Sequence, residues 1–217
     1  MTERLTGTQF SESGGVEDWR VLSGGGFACA YFATASFQAG VALVQAIGEL
    51  AAAANHNPDV DLRAEGVTVR LFTGSAGVDG LTERDVSMAR QISAAARQAQ
   101  APADPAAVQY VQIAIDALDI ARVRPFWHAV LGYPEVGDED LIDAHRRGPS
   151  VWFQQMDAER SQRNRIHIDL YLPPDQVHAR IAAALAAGGS IVSDAHAPEW
   201  WTLADPEGNE ADLAIWG

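Results

Sequence analysis

A stretch rich in alanine and proline interrupts this chain near its middle. Residues 94–107 are Ala-Ala-Ala-Arg-Gln-Ala-Gln-Ala-Pro-Ala-Asp-Pro-Ala-Ala, with two prolines and no large apolar side chain. Such a stretch has little to add to a hydrophobic core, and its composition is typical of a connection between domains. The 217 residues are enough for two small domains. We therefore predict a first domain over residues 1–96, a linker over 97–107 and a second domain over 108–217.

The first half alternates between strand-like and helix-like patterns. Two strand-like segments, 19–22 and 27–32, flank a run of glycines and predict a hairpin. A second pair, 60–64 and 67–72, alternates apolar and polar residues around a Glu-Gly turn. A helical pattern follows each hairpin. This order predicts an α+β domain, with a four-stranded antiparallel sheet that carries its helices on one face.

Both predicted helices begin after a hydroxyl residue. Ser36 and Thr82 stand before the first turn, where a side-chain oxygen accepts hydrogen bonds from unpaired backbone N–H groups. The first helix extends to about residue 54, and its apolar residues recur at helical spacing. We expect the following stripe to face the sheet: Phe37, Val41, Val44, Ile47 and Ala51.

The second half repeats one order of elements. A strand over 111–117 and a helix that starts at Asp119 come before further strands. A strand over 166–172 and a helix that starts at 173–175 then come before three more strands. The order in both parts is βαβββ, over about 55 residues each, as expected for a duplicated unit. We predict that the second domain is a pair of βαβββ modules.

Composition restricts the chemistry. All 15 basic residues are arginine, so no lysine is available for a Schiff base, a phosphate-binding loop or proton abstraction. The net charge of −14 disfavours nucleic acids and anionic membrane surfaces as partners. The single cysteine, Cys29, excludes an internal disulfide and cysteine-cluster metal sites. The first residues lack a signal-peptide pattern and no segment approaches the roughly 18 apolar residues of a membrane span, so we expect a cytoplasmic protein.

Two short motifs flank the second hairpin. Residues 55–58 are Asn-His-Asn-Pro, at the end of the first helix, and residues 80–85 are Gly-Leu-Thr-Glu-Arg-Asp, at the start of the second. Together with the element order, these motifs resemble the pterin-4a-carbinolamine dehydratases. That family carries His-His-Pro or His-Asn-Pro in the first place and Gly-Leu-Thr-x-Arg-Asp in the second. The resemblance implies an activity that removes water from a 4a-hydroxytetrahydropterin to form the quinonoid dihydropterin.

The implied reaction needs a proton for the leaving hydroxyl and a group that takes a proton from a ring nitrogen. Histidine suits both tasks because imidazole titrates near neutrality, and one well-placed acid or base is worth roughly 10²–10⁴-fold in rate. By resemblance, His56 transfers the proton, Asn57 hydrogen-bonds the pterin, and Asp85 orients the histidine or the substrate. Pro58 borders the substrate. We expect the His56 ring to face an open hollow of pterin size, with an acidic group within reach.

The same residues also have a purely structural interpretation. Asparagine tolerates the left-handed conformation that ends a helix, and proline cannot continue one. Asp85 follows Thr82 by three positions, which is the spacing of a capping box. The chain departs from the family where Ala52 replaces an acidic residue, where 64–65 lack an aromatic residue, and where 73–77 lack a further histidine or tryptophan. A domain that keeps the fold without the activity is therefore an alternative.

Three segments of the second half resemble the vicinal oxygen chelate superfamily, which includes glyoxalase I, bleomycin-resistance proteins and extradiol dioxygenases. Residues 126–132 are Phe-Trp-His-Ala-Val-Leu-Gly, at the end of a predicted helix. Residues 165–169 are Arg-Ile-His-Ile-Asp, on the strand that opens the second module. Residues 205–210 are Asp-Pro-Glu-Gly-Asn-Glu, at the turn before the last strand. The resemblance implies paired βαβββ modules around a small-molecule cleft.

Metal-binding members of that superfamily place ligands on the first and last strands of each module. The matching positions here are Gln112, His167 and Asp212, with Gln154 or Gln155 as a weaker fourth candidate, and Glu210 could serve in place of Asp212 because the two share a strand face. These ligands suit a divalent ion such as Zn²⁺, Fe²⁺, Mn²⁺ or Ni²⁺. Such an ion would bind vicinal oxygens and stabilise an enolate or activate oxygen. A metal-free cleft is the alternative, because one histidine and two weaker ligands are few for a tight site. We expect His196 and Trp201 to line the ligand wall.

These observations leave three functions open. The first is pterin dehydration in the first domain. The second is an active site in the second domain alone, as a metal-dependent lyase, isomerase or dioxygenase. The third is a binder without turnover. The partner in each case is a small molecule, and the arginines of 160–165 offer a clamp for a carboxylate or phosphate. Exposed sheet edges favour a homo-oligomer.

Overall fold

The computed structural model describes the following residues: 3–22, 26–74, 80–159, 167–172 and 175–215. The chain forms two compact units, Met1–Tyr110 and Val111–Gly217. Each unit combines helices with sheets that contain antiparallel strands, so the predicted α+β class is confirmed.

The elements described in the first unit are α1 (Gly7–Ser11), β1 (Arg20–Leu22), β2 (Phe27–Ala33), α2 (Phe37–Ala54), β3 (Asp59–Arg63), β4 (Gly66–Leu71) and α3 (Glu83–Gln98). The four strands form one antiparallel sheet in the order β1-β2-β4-β3. The predicted sequence of strands and helices is confirmed. The short helix α1 is additional, and Thr6 and Gln9 form a capping box at its start.

The core of the first unit lies between one face of this sheet and the helices. Alternate residues of a strand point to opposite faces, so every second side chain of β2 and β4 reaches the core. The fully buried strand residues are Ala28, Ala30, Phe32, Val67, Val69 and Leu71. Helix α3 contributes Val86, Met88, Ala89 and Ile92.

Helix α2 packs by part of the predicted stripe, since Ile47 and Ala51 are buried and Val44 packs on the core, but its first turns face the sheet differently. Phe37 and Val41, expected against the sheet, are 55% and 36% exposed. Gly40 lies against the sheet instead, because a Cβ atom there would be 2.5 Å from Leu62 of β3. The missing side chain lets the helix approach the strand closely. The buried residues of α2 are Gly40, Leu43, Ile47 and Ala51.

Helix α2 also corrects the expectation about membrane spans. By length and composition it could cross a membrane, since it has 18 residues and is apolar enough. It is the single helix among the described residues with this property. Helices that pack on the core of a protein share the same features, and one side of α2 is buried against the sheet.

The segment after α3 belongs to the first unit, and we call residues 99–110 the strap. Ala101 is 3% exposed. The Ala33 N–H donates to the Pro102 carbonyl and the Asp104 N–H donates to the Tyr31 carbonyl, both at 2.9 Å. The linker over 97–107 was predicted from the lack of large side chains. The observed contacts are hydrogen bonds of the backbone, and every residue except proline has a backbone N–H to donate. The division between the units falls after Tyr110.

The elements described in the second unit are β5 (Gln112–Ala117), α4 (Ile120–Leu131), β6 (Glu135–Val136), β7 (Asp140–Leu141), β8 (Ser150–Gln155), β9 (Ile168–Tyr171), α5 (Val177–Ala186), β10 (Ser190–Ser193), β11 (Trp200–Ala204) and β12 (Glu210–Ala214). They form two sheets with the orders β5-β8-β7-β6 and β9-β12-β11-β10. Strand β5 pairs in parallel with β8, and β9 pairs in parallel with β12. The other strand pairs of both sheets are antiparallel. The predicted pair of βαβββ modules is confirmed.

One face of each sheet in the second unit packs on α4 and α5. Ile113 and Ile115 of β5 and Ala211 and Leu213 of β12 belong to this core. Because side chains alternate along a strand, the residues between them lie on the opposite faces. Polar and charged residues of β5, β9 and β12 therefore share the faces directed away from the helices.

Candidate functional site

The carboxyl end of α2 places His56. Asn55 has a φ of 47°, which is the left-handed conformation. The His56 N–H donates to the Ala51 carbonyl at 3.1 Å, and the Asn55 N–H donates to the Ala52 carbonyl at 3.3 Å. This is a Schellman motif, which satisfies carbonyls that the helix leaves unpaired. The helix stop that the sequence predicts is present, and it holds the backbone that carries the imidazole.

The amino end of α3 places Asp85. Thr82 is the N-cap residue and Asp85 the third helical residue of a capping box. Asp85 Oδ2 accepts from the Thr82 N–H at 2.8 Å, from Thr82 Oγ1 at 3.0 Å and from Thr73 Oγ1 at 2.7 Å. The Asp85 side chain is 0% exposed. The predicted capping interaction therefore exists, and it occupies only one of the two carboxyl oxygens.

The second oxygen of Asp85 contacts His56. The distance from His56 Nε2 to Asp85 Oδ1 is 2.8 Å, across 29 residues of sequence. A carboxylate only accepts hydrogen bonds, so Nε2 carries a proton and Nδ1 is the ring nitrogen outside this contact. The acidic group expected beside His56 is therefore present. The ring is 8% exposed, so it is largely enclosed and does not face an open hollow.

Arg84 joins the two helix ends from the solvent side. Its Nη2 atom donates to the Asn55 carbonyl at 2.7 Å and to the Ala54 carbonyl at 3.3 Å. A cation at a helix carboxyl end is favoured by the helix dipole. This contact fixes the end of α2, which carries His56, to the start of α3, which carries Asp85.

The other dehydratase candidates directly follow His56 in the chain. Asn57 is exposed and Pro58 is half-buried. The Thr73 hydroxyl also belongs to this group of side chains, because it donates to Asp85 Oδ2. Sequence analysis did not identify Thr73 or Arg84 as site residues. Arg84 had a signal in the Gly-Leu-Thr-x-Arg-Asp motif, but the role of Thr73 depends on the tertiary fold.

A second group of polar side chains converges on the sheet of β9 and β12. Asp169 and Asp212 are register partners, and His167 immediately precedes β9. His167 Nε2 is 3.2 Å from Asp169 Oδ1 and 3.8 Å from Asp212 Oδ2. One ligand atom from each residue lies within 4.8 Å of the other two. One imidazole nitrogen and two carboxylate oxygens suit a divalent transition-metal ion.

The structure brings the predicted ligands His167 and Asp212 into one cluster with Asp169. Gln112, the third predicted ligand, is the first residue of β5 in the other sheet. Asp169 was missed. The signal for it was its position two residues after His167, because residues i and i+2 of a strand share a face.

Trp201, which we expect to line the ligand wall, is largely buried. This residue is 8% exposed, and its ring lies 5.3 Å from the His178 ring of α5, in the core. Trp200 alternates to the opposite face, which it shares with Asp212. The His196 ring stacks on Trp200 with a centroid distance of 4.0 Å and an interplanar angle of 15°. Trp200, stacked on His196, is therefore the indole on the face that carries Asp212.

The turn over 205–210 has a structural role. Asp205, 3% exposed, accepts from Trp127 Nε1 and from the Glu207 N–H, both at 2.9 Å. The Glu207 carboxylate accepts from the N–H groups of Leu118 and Asp119 at 2.9 and 2.8 Å, at the start of α4. These bonds connect the two modules. The arginine cluster expected over 160–165 lies outside the described residues.

Comparison with known families divides the chain in the same way. Residues 3–95 match the model of the family described as pterin 4 alpha carbinolamine dehydratase, and residues 112–214 match that of the glyoxalase-like domain. A relative from Nocardia farcinica, provisionally named as a pterin-4-alpha-carbinolamine dehydratase, is 52% identical over 62 residues, or 29% of this chain and 63% of the relative. A relative from Chloroflexus aggregans with the same provisional name is 44% identical over 61 residues, or 28% and 63% of the two chains. The chain thus spans less than two thirds of these relatives.

Solved structures resemble each half separately. A transcriptional coactivator/pterin dehydratase from Brucella melitensis is 26% identical, with 43% of this chain and 99% of that chain covered and a TM-score of 0.40. A glyoxalase-related enzyme from Fulvimarina pelagi is 18% identical, with 50% and 89% covered and a TM-score of 0.41. The family matches confirm both resemblances that the motifs indicate. The chain is therefore a fusion of a pterin 4 alpha carbinolamine dehydratase-like domain with a glyoxalase-like domain.

Proposed function

We propose that the first unit dehydrates a 4a-hydroxytetrahydropterin and that His56 transfers the proton. The observation that carries this proposal is the 2.8 Å contact between His56 Nε2 and Asp85 Oδ1, in a domain that matches the dehydratase family. A buried carboxylate that accepts from one ring nitrogen holds the imidazole in one orientation and one tautomer. Both are requirements for a group that exchanges protons with a bound substrate.

The reaction can be balanced on one imidazole. The bond from C4a to its hydroxyl oxygen breaks, a ring nitrogen loses its proton, and a carbon–nitrogen double bond forms as water leaves. Nδ1 of neutral His56 takes the proton from the ring nitrogen, and Asp85 stabilises the resulting imidazolium. The same Nδ1–H then protonates the departing hydroxyl. His56 returns to its starting state, and the products are quinonoid dihydropterin and water.

The residues around His56 would position the Asp85 carboxylate and bind the pterin. Thr73 and Thr82 hold the Asp85 carboxylate through three hydrogen bonds, so they position His56 indirectly. Asn57 is exposed next to the enclosed ring, and its amide offers both donors and an acceptor to the edge of a pterin. Because the His56 ring is largely enclosed and Asn57 is exposed, the substrate would approach from the Asn57 side.

A tetrahydropterin-recycling assay in which dehydration limits the rate tests this proposal. We expect His56→Gln to lower the rate by roughly 10²–10⁴-fold, the usual worth of one acid–base group. His145→Gln is the matched control, because His145 is an exposed histidine in the second unit. Wild type and His56→Gln at the same background rate would reject dehydration and support a domain that binds without turnover.

We also propose a divalent-metal site in the second unit, because the donor set of His167, Asp169 and Asp212 fits such an ion. His167 Nε2 and one oxygen from each carboxylate would hold it. A bound ion would supply Lewis-acid chemistry to a substrate with vicinal oxygens. Trp200 lies on the same face of the sheet as Asp212 and would orient a flat substrate group beside the site.

Metal analysis of the purified full chain tests the second proposal. We expect close to one Zn²⁺ or Mn²⁺ per chain after mild dialysis, and loss of that content in His167→Ala and in Asp212→Ala. His145→Ala serves again as a control with one histidine fewer. Metal that dialysis removes from wild type, or equal binding by all four proteins in a calorimetric titration, would reject the site.

A further inference from the structure

A cavity of about 300 Å³ lies in the first unit, between the carboxyl end of α3 and the strap. Small-molecule sites in proteins have volumes of about 300–1,000 Å³, and most of their lining is apolar. The apolar lining of this cavity comes from the buried ring of Phe32 and from Ala96, Ala101 and Ala103. Ala103 is the antiparallel bridge partner of Phe32, so both side chains lie on the same side of the sheet. The cavity exists because three alanines are too small to fill the space beside this ring.

The cavity is separate from the His56 site. Asp85, which contacts His56, is the third residue of α3, whereas Ser93 and Arg97 line the cavity eight and twelve residues later. At 1.5 Å per residue, these two positions are roughly 12 and 18 Å from Asp85 along the helix axis. A molecule in the cavity would therefore occupy a second site within the first unit.

A buried hydroxyl lines the cavity. Ser93 is 1% exposed, and its Oγ atom accepts from Trp19 Nε1 at 3.1 Å. An indole N–H only donates, whereas a hydroxyl carries a donor of its own as well as acceptor sites. Ser93 donates to no other side chain or carbonyl among the described residues. A buried donor without an acceptor is unfavourable, so an occupant that accepts from Ser93 would be stabilised in the cavity.

Opposite charges lie side by side at the rim of the cavity. Arg97 Nη1 is 3.7 Å from Asp18 Oδ2, which is longer than a hydrogen bond, and the two side chains are 69% and 30% exposed. Neither side chain takes part in a hydrogen bond within the described part of the chain. The rim therefore offers guanidinium donors next to a carboxylate acceptor.

We propose that this cavity binds a small, uncharged heteroaromatic ring that carries an N–H group beside a carbonyl, as in a cyclic amide. The carbonyl accepts from Arg97, the N–H donates to Asp18, and a further ring nitrogen accepts from Ser93. The ring packs on Phe32. Charge disfavours the other classes of ligand, because an anion would meet Asp18 and the net charge of −14, and a cation would meet Arg97.

Titration of the full chain with quinazolin-4-one, followed by NMR of the backbone amides, tests this inference. This probe is an uncharged bicyclic cyclic amide. Quinazoline lacks the N–H and the carbonyl, and 1-naphthoate is an anion of similar size. Ala103→Leu fills the cavity, and Ala107→Leu makes the same change at an exposed position of the strap. Asp18→Asn removes the charged acceptor, with Asp61→Asn, 51% exposed on β3, as its matched control.

We expect quinazolin-4-one to shift the amides of residues 93–103 with a Kd on the order of 1 mM, as is usual for so small a ligand. Ala103→Leu and Asp18→Asn should each weaken its binding about tenfold, and both control variants should match wild type. Quinazoline and 1-naphthoate should bind wild type at least tenfold more weakly than quinazolin-4-one.

Four results would overturn the inference. They are no shift at the solubility limit of quinazolin-4-one, shifts confined to the amides around His56 and Asp85, equal affinity of wild type and folded Ala103→Leu, and tighter binding of 1-naphthoate than of quinazolin-4-one. Circular dichroism checks the fold of each variant. If Ala103→Leu unfolds, Asp18→Asn decides, because it preserves the shape of the side chain. These measurements involve no turnover, so they do not depend on whether the first unit dehydrates a pterin.

Discussion

Replacing Asp85 by asparagine perturbs the buried pair without changing its shape. Asp85 is 0% exposed, and its two oxygens accept from His56 Nε2, Thr73 Oγ1, the Thr82 N–H and Thr82 Oγ1. The asparagine side chain has one oxygen and one NH₂ group in place of the two carboxylate oxygens. Its NH₂ group must therefore face hydrogen-bond donors that the carboxylate accepted from. With the NH₂ group toward His56, a single conflict arises, and the imidazole resolves it by moving its proton from Nε2 to Nδ1. The opposite orientation conflicts with three donors.

The expected loss of free energy of unfolding follows from replacing a charged carboxylate acceptor with a neutral amide. A buried hydrogen bond to a charged group contributes about 1 kcal/mol more than one between neutral groups, and four bonds change. The smaller desolvation cost of a neutral amide offsets part of this loss. We therefore expect Asp85→Asn to lower the free energy of unfolding of the first unit by about 2 kcal/mol, or about 30-fold in its unfolding equilibrium.

Two measurements separate the parts of this prediction. Nitrogen-15 NMR of histidine-labelled protein identifies the protonated ring nitrogen, which should be Nε2 in wild type and Nδ1 in Asp85→Asn. Hydrogen exchange of the α3 amides measures the stability of the first unit and should quicken by about 30-fold. Asp61→Asn is the matched control, since its side chain is 51% exposed, and should change neither. An unaltered tautomer together with unaltered α3 exchange in Asp85→Asn would refute the argument.

Three further predictions concern the first unit. Burial raises the pKa of the Cys29 thiol from 9.0 to about 11, so below pH 9 its thiolate fraction is about 100-fold lower than usual. Alkylation of Cys29 by iodoacetamide should therefore be at least 100-fold slower in the folded chain than in the urea-unfolded chain, and equal rates would contradict this prediction. Gly66→Ala should cost about 1–3 kcal/mol in urea unfolding, because the new Cβ would lie 2.6 Å from the Phe32 carbonyl oxygen, whereas Gly48→Ala, with nothing within 4 Å, should be neutral or stabilising. Arg84→Met should lower the melting temperature by removing about 0.5–1 kcal/mol of hydrogen bonding to the end of α2; an unchanged melting temperature would show that this exposed contact adds nothing.

Features that depend on near neighbours were predictable. Ser36 and Thr82 cap the helices that follow them, and the left-handed Asn55 ends α2 before a proline. The duplicated order of the second half predicted two sheets of one topology. In these cases the deciding contacts lie within about five residues of each other, so the local pattern contains the information.

Three features of the structure depend on contacts between segments that are distant in sequence. Helix α2 is apolar on most of its surface, so periodicity could not show that Gly40, rather than Phe37, would meet the sheet. The pair Trp200–Trp201 sends one indole to each face, and the pattern does not indicate which face is the core. The strap lacks large side chains, yet its backbone completes a sheet edge. Each outcome depends on a partner that is distant in sequence.

The amino-acid sequence alone determined the order of the elements, the helix caps, the duplicated modules and the two family resemblances, since all of these are encoded in short segments. Only the tertiary structure decided that His56 and Asp85 meet at 2.8 Å, that Asp169 joins His167 and Asp212, and that the His56 ring is enclosed. Pairing of distant segments is set by packing and strand register over the whole unit, and a one-residue shift of register would send every side chain of a strand to its other face.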